Sequence, residues 1–558
     1  MDYNILIGGA AGQGMDTLSV ILEKIIKRKG YYIFLNKDYM SRVRGGHNFT
    51  QIRFGTKPLY GHETKLDVII ALDKNTVDFH TERLGDNGVI LCDEDIQVED
   101  SRVIHIPMKG IAKELKNPKV FGSVAIGALV KLFGMTNTEV EDVFKERFND
   151  KIGLLNFEAY KRGYEITEKH FDLQEGTEDK HIIINSNQAI ALGALAGGVC
   201  YYSAYPMTPG TSIMTYLAEK QEQAGILVEQ AEDEIAAINM AIGASYAGVR
   251  SMTGTSGGGF SLMVEALGLA GVQETPLVVV DVQRPSPATG LPTRTEQSDL
   301  SFVLTASHGE FPRMVIAVRH PEDAFYQTVR ALNIADKYQM LVIILGDQYL
   351  ADGTQTIAPF DFDKLTIDRH LFNGEGLKEG EYKRYKITEN GISPRMIPGK
   401  VPGQIVISGS EEHNEEGRIT ESAEVRTAMM NKRMKKLELL KDDLLEPDYF
   451  GVEEPEHLIL AWGSMHGPLR EAIALLQEEG YSVGALVFGD IYPLPTKLLE
   501  KYAAKAKNII NIEQNYTGQL GKLIRQETGI ACNKSILKYD GRQMHYKHIY
   551  DQLKGEVL

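Results

Sequence analysis

The chain has 558 residues, more than one hydrophobic core usually supports, so about three or four domains of ~150 residues are expected. With 43% hydrophobic and 24% charged residues it sits near globular averages, which excludes a largely disordered, collagen-like or coiled-coil chain. A formal net charge of -16 argues against broad binding to nucleic acid or anionic membranes, both of which depend on Lys and Arg pairing with phosphates.

The opening "MDYNILIGGAAG" lacks the charged head and long apolar segment of a secretory signal. No apolar run approaches the ~18 residues of a membrane span, so a cytoplasmic location is expected. Tyr3 to Ile7 reads as a strand, "GGAAGQG" as a turn and "MDTLSVILEKIIKRKG" as a helix by its apolar spacing; "YYIFLN" then reads as a second strand. That order makes an α/β unit with a parallel sheet expected, extended by "LDVIIAL" and "NGVILCD". Gly9, Gly12 and Gly14 miss the GxGxxG spacing of a dinucleotide fingerprint. A helix amino terminus there can hold a phosphate; a tight turn with no ligand is the equal alternative.

A second α/β block, rich in Gly and Ala, spans 176–360, with strands expected at "RSMTGT", "PLVVVDVQ" and "MLVIILG". Residues 361–450 change character. "GEGLKEGEYKRYKITENGISPRMIPGKVPGQ" is dense in Gly, Pro and charge without a sustained period, a long surface excursion, and "ESAEVRTAMMNKRMKKLELLKDD" restores helical spacing. From 451 to 558, "HLILAWGS", "VGALVFGD" and "NIINIEQN" alternate with helices as a third α/β block. Cys92, Cys200 and Cys532 are isolated, with no CxxC; they are too few for an all-thiolate iron–sulfur cluster and read as small buried hydrophobes.

Four stretches carry candidate chemistry. In "SAYPMTPGTSI" Pro206 and Pro209 fix φ and bias the residues before them, so Thr208 is held before any ligand arrives; the plainer reading is a stiffened loop whose threonine closes a turn. "VEQAEDEIAAINMAIGASYAGVR" starts with four acids and continues as a helix that is small and apolar on nearly every side, hence buried, against a second chain as well as its own sheet. Glu229, Glu232 and Asp233 suit a helix amino terminus. Glu234 shares the face of Ile238, Ala241, Ile242 and Ser245, so its carboxyl should be desolvated and its pKa raised toward proton transfer; a capping acid still in water is the rival. "TGTSGGGFSLMVEALGLAG" runs from Thr255 and Ser256 through three glycines into a helix, where backbone can approach a ligand. Arg284 ends the strand "PLVVVDVQ", the edge at which open α/β sheets bind ligands, and its guanidinium suits a carboxylate; a surface ion pair is the alternative.

"YPMTPGT", "AEDEIAAINMAIGASYAG", "TGTSGGGFSLMVE", "VQRPSPATGLPTRTEQSDL" and "EQNYTGQL" resemble the α subunit of 2-oxoacid:ferredoxin oxidoreductases, and "GGAAGQG" with "SRVRGGHN" resembles their γ domain, here fused ahead of α. "TGLPTRTEQ" with a fused γ domain is most similar to the 2-oxoglutarate type. The resemblance implies three successive α/β domains: a γ domain at 1–175, a thiamine diphosphate pyrimidine-binding domain at 176–360 and, past the excursion, a transketolase C-terminal-like domain at 451–558. It implies thiamine diphosphate shared with a β subunit, Glu234 bonding the ring nitrogen, and Tyr205, Pro206, Thr255 and Ser256 lining the cofactor. It implies that Arg284 and Thr208 hold the carboxylate and carbonyl of a 2-oxoacid, with Arg294 meeting a second carboxylate. Met207 and Gly210 depart from the family's usual YPxTP loop and bear on substrate size, so pyruvate and branched 2-oxoacids stay beside 2-oxoglutarate.

The family's GDG and later Asn, which hold diphosphate and magnesium, are missing here. The resemblance therefore implies that Mg2+ and a [4Fe-4S] cluster belong to a β subunit in an (αβ)2 heterotetramer that passes electrons to ferredoxin, with coenzyme A as co-substrate and no metal on this chain. The competing readings are a non-catalytic scaffold of the same fold and a nicotinamide dehydrogenase built on the amino-terminal glycine turn.

Overall fold

The computed structural model describes residues 2–42, 45–177 and 180–556. Val43 and Arg44, within "SRVRGGHN", lie outside the described residues. The chain divides into two units; the first comprises residues up to Ile184 together with Gly353–Pro359 and His545–Lys547.

The first unit is built on an eight-stranded sheet, ordered Val103–Ile106, Leu84–Asp93, Leu66–Ala71, Asp2–Ala11, Gly45–Gly55, Tyr32–Asp38, Thr354–Ile357, Ile182–Ile184. Asp2–Ala11 runs parallel to Leu66–Ala71, and the order continues parallel through Leu84–Asp93 to Val103–Ile106. Its other half departs from the expected parallel sheet. Gly45–Gly55 lies between Asp2–Ala11 and Tyr32–Asp38, antiparallel to both, and its Phe49, Ile52 and Phe54 supply apolar side chains to the two faces. Ile5 and Ile7 face the cluster formed with Leu18, Leu22, Ile25 and Ile26 of the helix Met15–Arg28, while Leu6 faces Val77 of Lys74–His80. Burial on both sides explains why the strands read as continuous apolar runs. Two strands of this sheet, Ile182–Ile184 and Thr354–Ile357, come from beyond residue 175.

The second unit holds two sheets. The larger is ordered Asp490–Tyr492, Arg313–Ala317, Leu341–Asp347, Leu277–Gln283, Arg250–Thr255, Val199–Ala204, Leu227–Gln230, parallel throughout except where Asp490–Tyr492 pairs antiparallel with Arg313–Ala317. The smaller is ordered Asp448–Gly451, Val483–Phe488, His457–Trp462, Asn508–Glu513, Lys534–Leu537, parallel apart from its first strand. One apolar cluster joins them, running from Ile238, Phe260 and Val279 to Leu460, Trp462 and Phe488.

The 361–420 stretch is held by charge rather than by an apolar stripe. The buried Asp336 accepts hydrogen bonds from Arg250 at 2.8 Å, Arg369 at 2.9 Å and Arg395 at 2.5 Å. Arg384 donates to Gln339 Oε1 at 2.7 Å and to the Glu274 carbonyl at 2.8 Å. The helix Ala423–Leu440 then sets Lys432 and Lys436, both fully buried, 2.5 Å from the two carboxyl oxygens of Glu274. A segment pinned by such isolated polar contacts leaves no hydrophobic period to read.

Candidate active site

The helix Glu234–Tyr246 begins at Asp233, whose side chain accepts from the Ala236 amide at 2.7 Å. It is clamped to the sheet by three serines. Ser203 Oγ donates to the Ala237 carbonyl, Ser251 Oγ to Ala241, each at 2.6 Å, and Ser245 Oγ to Pro276 at 2.5 Å. Its buried face is Glu234, Ala237, Ile238, Ala241, Ile242 and Ser245, while Ile235 and Met240 on the opposite side are exposed. Glu234 itself is 3% exposed and its Oε1 has no partner. Burial raises its pKa, and the neighbouring Asp233 adds to the shift. Glu229 and Glu232 remain in solvent.

Thr255 and Ser256 close the strand Arg250–Thr255 and are fully buried, and Ser256 Oγ is unpartnered at the start of the helix Gly257–Val272. A methyl group built on Gly259 would lie 2.1 Å from Thr255 Oγ1 and 2.4 Å from Glu234 Oε1, so both groups converge on one bare turn of backbone. Nothing lies within 4 Å of such a methyl at Gly258. A buried carboxyl of raised pKa with a free oxygen, facing glycines that present only backbone, fits an aromatic ring nitrogen as its partner.

The proline loop packs on the same strand end. A methyl at Gly210 would lie 2.7 Å from the Thr255 carbonyl oxygen; the glycine is therefore required by backbone approach as well as by anything bound nearby. Asn187 Nδ2 donates to the Pro209 carbonyl at 2.9 Å and to Ser212 Oγ at 2.8 Å, fixing the loop from behind. Arg284 Nη1 donates to the Thr208 carbonyl at 2.6 Å. The structure thus brings Glu234, Thr255, the Tyr205–Gly210 loop and Arg284 into one continuous set of contacts. Thr208 and Pro206 are half-buried and Tyr205 is 39% exposed at its rim.

Arg294 lies further along the loop that follows Arg284. It donates to its own neighbour's carbonyl, Thr293, at 3.3 Å, and its Cβ would sit 3.1 Å from a methyl on Gly541. In the glycine turn of the first unit the space beside Gly9 is filled by the chain itself, whereas Gly12 and Gly14 face open space. Gln13 Oε1 accepts the Ala10 amide at 2.7 Å and fills the space beside Gly9. Asn187 forms the site without any signal in the sequence, its two hydrogen bonds reaching a loop some twenty residues away. Asp281 carried a signal, as the one acid inside the run "LVVVDVQ".

The described chain has no helix long and apolar enough to cross a membrane. Comparison with known proteins gives three family models in succession: pyruvate ferredoxin/flavodoxin oxidoreductase over residues 4–166, the thiamine diphosphate-binding region of pyruvate flavodoxin/ferredoxin oxidoreductase over 192–432, and core domain II of pyruvate:ferredoxin oxidoreductase over 455–549. The chain is 35% identical to the 2-oxoacid:ferredoxin oxidoreductase subunit alpha of a Sulfolobus species, covering 97% of this chain and 95% of that one. It is 31% identical to the 2-oxoglutarate oxidoreductase subunit KorA of Mycobacterium tuberculosis, covering 94% and 78%. Among solved structures it is similar to the 2-oxoglutarate:ferredoxin oxidoreductase of Magnetococcus marinus, determined with 2-oxoglutarate, coenzyme A and succinyl-CoA bound, at a TM-score of 0.93 and 34% identity over 100% of both chains.

Proposed function

This chain belongs to the 2-oxoacid:ferredoxin oxidoreductase α subunits, and from that premise we propose that it forms half of a thiamine diphosphate site and, with a β subunit, converts 2-oxoglutarate and coenzyme A to an acyl-CoA and carbon dioxide. Two electrons and one proton leave in the same reaction, the electrons reaching ferredoxin through the partner. The supporting observation is Glu234: a carboxyl 3% exposed, unpartnered at Oε1 and set against Gly259.

When bound, thiamine diphosphate supplies the nucleophilic carbon and the electron sink for decarboxylation. Glu234 would exchange a proton with a nitrogen of the bound ring, which its raised pKa suits. Thr255, Ser256, Tyr205 and Pro206 would line that ring. Arg284 takes the substrate carboxylate and Thr208 its carbonyl, with the two prolines and Asn187 fixing the loop so that little ordering is left for the bound state. Arg294 is the candidate for a second carboxylate. Residues 1–175 act as the γ domain and 451–558 as an assembly domain, joined to 176–360 through the 361–450 excursion. The β subunit contributes Mg2+, the diphosphate site and a [4Fe-4S] cluster, in a cytoplasmic (αβ)2 heterotetramer.

The test is co-expression with the candidate β chain and measurement of viologen reduction with pyruvate, 2-oxoglutarate and branched 2-oxoacids. Coenzyme A-dependent reduction, fastest with 2-oxoglutarate, is expected; a purified complex that turns over none of them overturns the reading.

A further inference from the structure

Asp281 sits in the strand Leu277–Gln283 with valines on both sides in sequence. It is fully buried, and neither of its carboxyl oxygens has a hydrogen-bond partner. Its lateral neighbours in the sheet are Thr255 on one side and Leu345 on the other. Two residues further along the same face of the strand, Gln283 Oε1 accepts the backbone amide of Asp299 at 3.0 Å, which brings a second carboxyl into the same layer. Asp299 is 6% exposed, and its Oδ2 is also unpartnered. A methyl on Gly257 would lie 2.4 Å from that oxygen, so the acid rests on the first residue of the Gly257–Val272 helix.

The charged groups around this pair are few. Arg284 follows Gln283 in sequence and interacts with Asp299. Glu296, on the same loop, feels Asp299 and, from the carboxyl-terminal part of the unit, Asp540. Asp347 is in register with Gln283 from the neighbouring strand, and Glu234 lies across Gly259 beside Thr255. Arg284 is the cation that acts on Asp299, while Asp540 is paired with Lys538. Asp281 feels the charge of Asp299, and Arg284 acts on Asp299; two desolvated carboxyls so placed resist ionising together at neutral pH. The directions agree: burial, then the charge of Asp299, drives the Asp281 pKa well up, while burial lifts Asp299 to about 6 against the pull of Arg284. The two protons leave in steps that belong to the pair.

We propose that Asp281 and Asp299 hold one proton between them beside Arg284, Asp281 as the neutral acid and Asp299 as the carboxylate that orients the guanidinium, and that this shared proton sets the charge met by the substrate's carboxylate. The proposal rests on the reading of Arg284 as the carboxylate-binding group. Both acids are positioning residues that act through Arg284. The occupied proton keeps the layer at one net negative charge from the pair, balanced by Arg284. Its loss at alkaline pH adds a second negative charge, which opposes binding of an anionic substrate.

Two measurements on the complex with its β subunit test this. The first compares infrared spectra of wild type and Asp281→Asn at neutral pH, in light and heavy water. Wild type should show a carbonyl stretch of a protonated carboxylic acid, shifted by deuterium, that Asp281→Asn lacks. The second follows KM and kcat for 2-oxoglutarate from neutral into alkaline pH. In wild type KM should climb by about tenfold or more, the effect of one added charge at buried separations, with kcat changing less. In Asp281→Asn, whose amide stays neutral, KM should stay flat. If that variant fails to assemble, Asp299→Asn serves instead. With the repelling charge gone, Asp281 ionises more easily and the climb in KM moves to lower pH. An infrared spectrum unchanged by Asp281→Asn, or a KM profile that neither variant alters, overturns the proposal. A complex that turns over no 2-oxoacid defeats the proposed function, while the infrared comparison still decides whether the proton is there.

Discussion

Gly259 lies against Glu234: a methyl group at residue 259 would stand 2.4 Å from the carboxyl Oε1 and 2.1 Å from Thr255 Oγ1. Neither neighbour has room to retreat, since Glu234 is the first residue of a buried helix and Thr255 ends a buried strand. Gly259→Ala therefore overpacks the site and should cost roughly 1–3 kcal/mol of stability, offset by at most ~1 kcal/mol of better helix propensity, while displacing the carboxyl. A misplacement on the order of 1 Å costs roughly 100-fold in rate. Dye reduction and a thermal melt measured on the same preparation check both halves, and full activity in this variant would remove Glu234 from the site.

Glu234→Gln isolates the proton from the shape. Glutamine fills the same volume and keeps a hydrogen-bonding oxygen, yet cannot exchange a proton with a ring nitrogen. Viologen reduction should fall at least ~100-fold, the usual scale for removing a general acid–base group, with assembly onto the β subunit unchanged by size-exclusion chromatography. Retention of activity would favour a scaffold role for this chain.

The site was legible in sequence wherever local chemistry was unusual and blind wherever distance in sequence did the work. Glu234 stood out because an acid shared a face with Ile238, Ala241 and Ile242, and those residues are buried together. The strands Leu277–Gln283 and Leu341–Asp347 are visible as apolar runs, and Arg250–Thr255 by its place between two helical stretches. Gly45–Gly55 was passed over because its polar residues, His47, Asn48, Thr50, Gln51 and Arg53, dilute the apolar signal of Phe49, Ile52 and Phe54, and inserting it is what turns half of that sheet antiparallel. Gly210, which bears on substrate size in sequence, also lets the loop press on the Thr255 carbonyl, a contact no local pattern announces. Asp281 and Asp299 are 18 residues apart in sequence; only the hydrogen bond from Asp299 to Gln283 brings them to one layer.

The anchor of the Ala423–Leu440 helix gives a stability prediction. Glu274 is 1% exposed and sits between the ammonium groups of Lys432 and Lys436. Burial alone would raise its pKa, but Lys436, Lys432 and Arg384 together hold it far below the ordinary carboxylate range. Glu274→Gln leaves two buried ammoniums without a counter-charge and should destabilise by about 3–5 kcal/mol. Replacing all three, in Glu274→Gln with Lys432→Met and Lys436→Met, removes the charges together and should recover most of that loss. Urea unfolding followed on the three proteins distinguishes this from a site where the ion pairs contribute little, for which the single variant would match wild type.

In the first unit, Glu23 ties stability to pH. It lies on the Met15–Arg28 helix, 5% exposed, with the Thr354 hydroxyl donating to its carboxyl. Burial pushes its pKa up to about 7, the Thr354 bond and Lys37 pulling only partly the other way. Because the folded pKa exceeds the unfolded one, near ~4.3, the native state binds more protons than the unfolded state between the two values. Stability from this group is therefore present under acid conditions and falls as pH rises through about 7, after which it is level. The full effect is up to about 4 kcal/mol. Glu23→Gln should remove that dependence, raising protection of the Met15–Arg28 amides at mildly alkaline pH and changing it little in acid. Hydrogen exchange by mass spectrometry, corrected for the intrinsic effect of pH on exchange, reads this helix directly within the multi-unit chain, where a single melting temperature would not. Identical pH dependence in wild type and Glu23→Gln would mean that the carboxyl stays ionised in the core, held by Thr354 and Lys37.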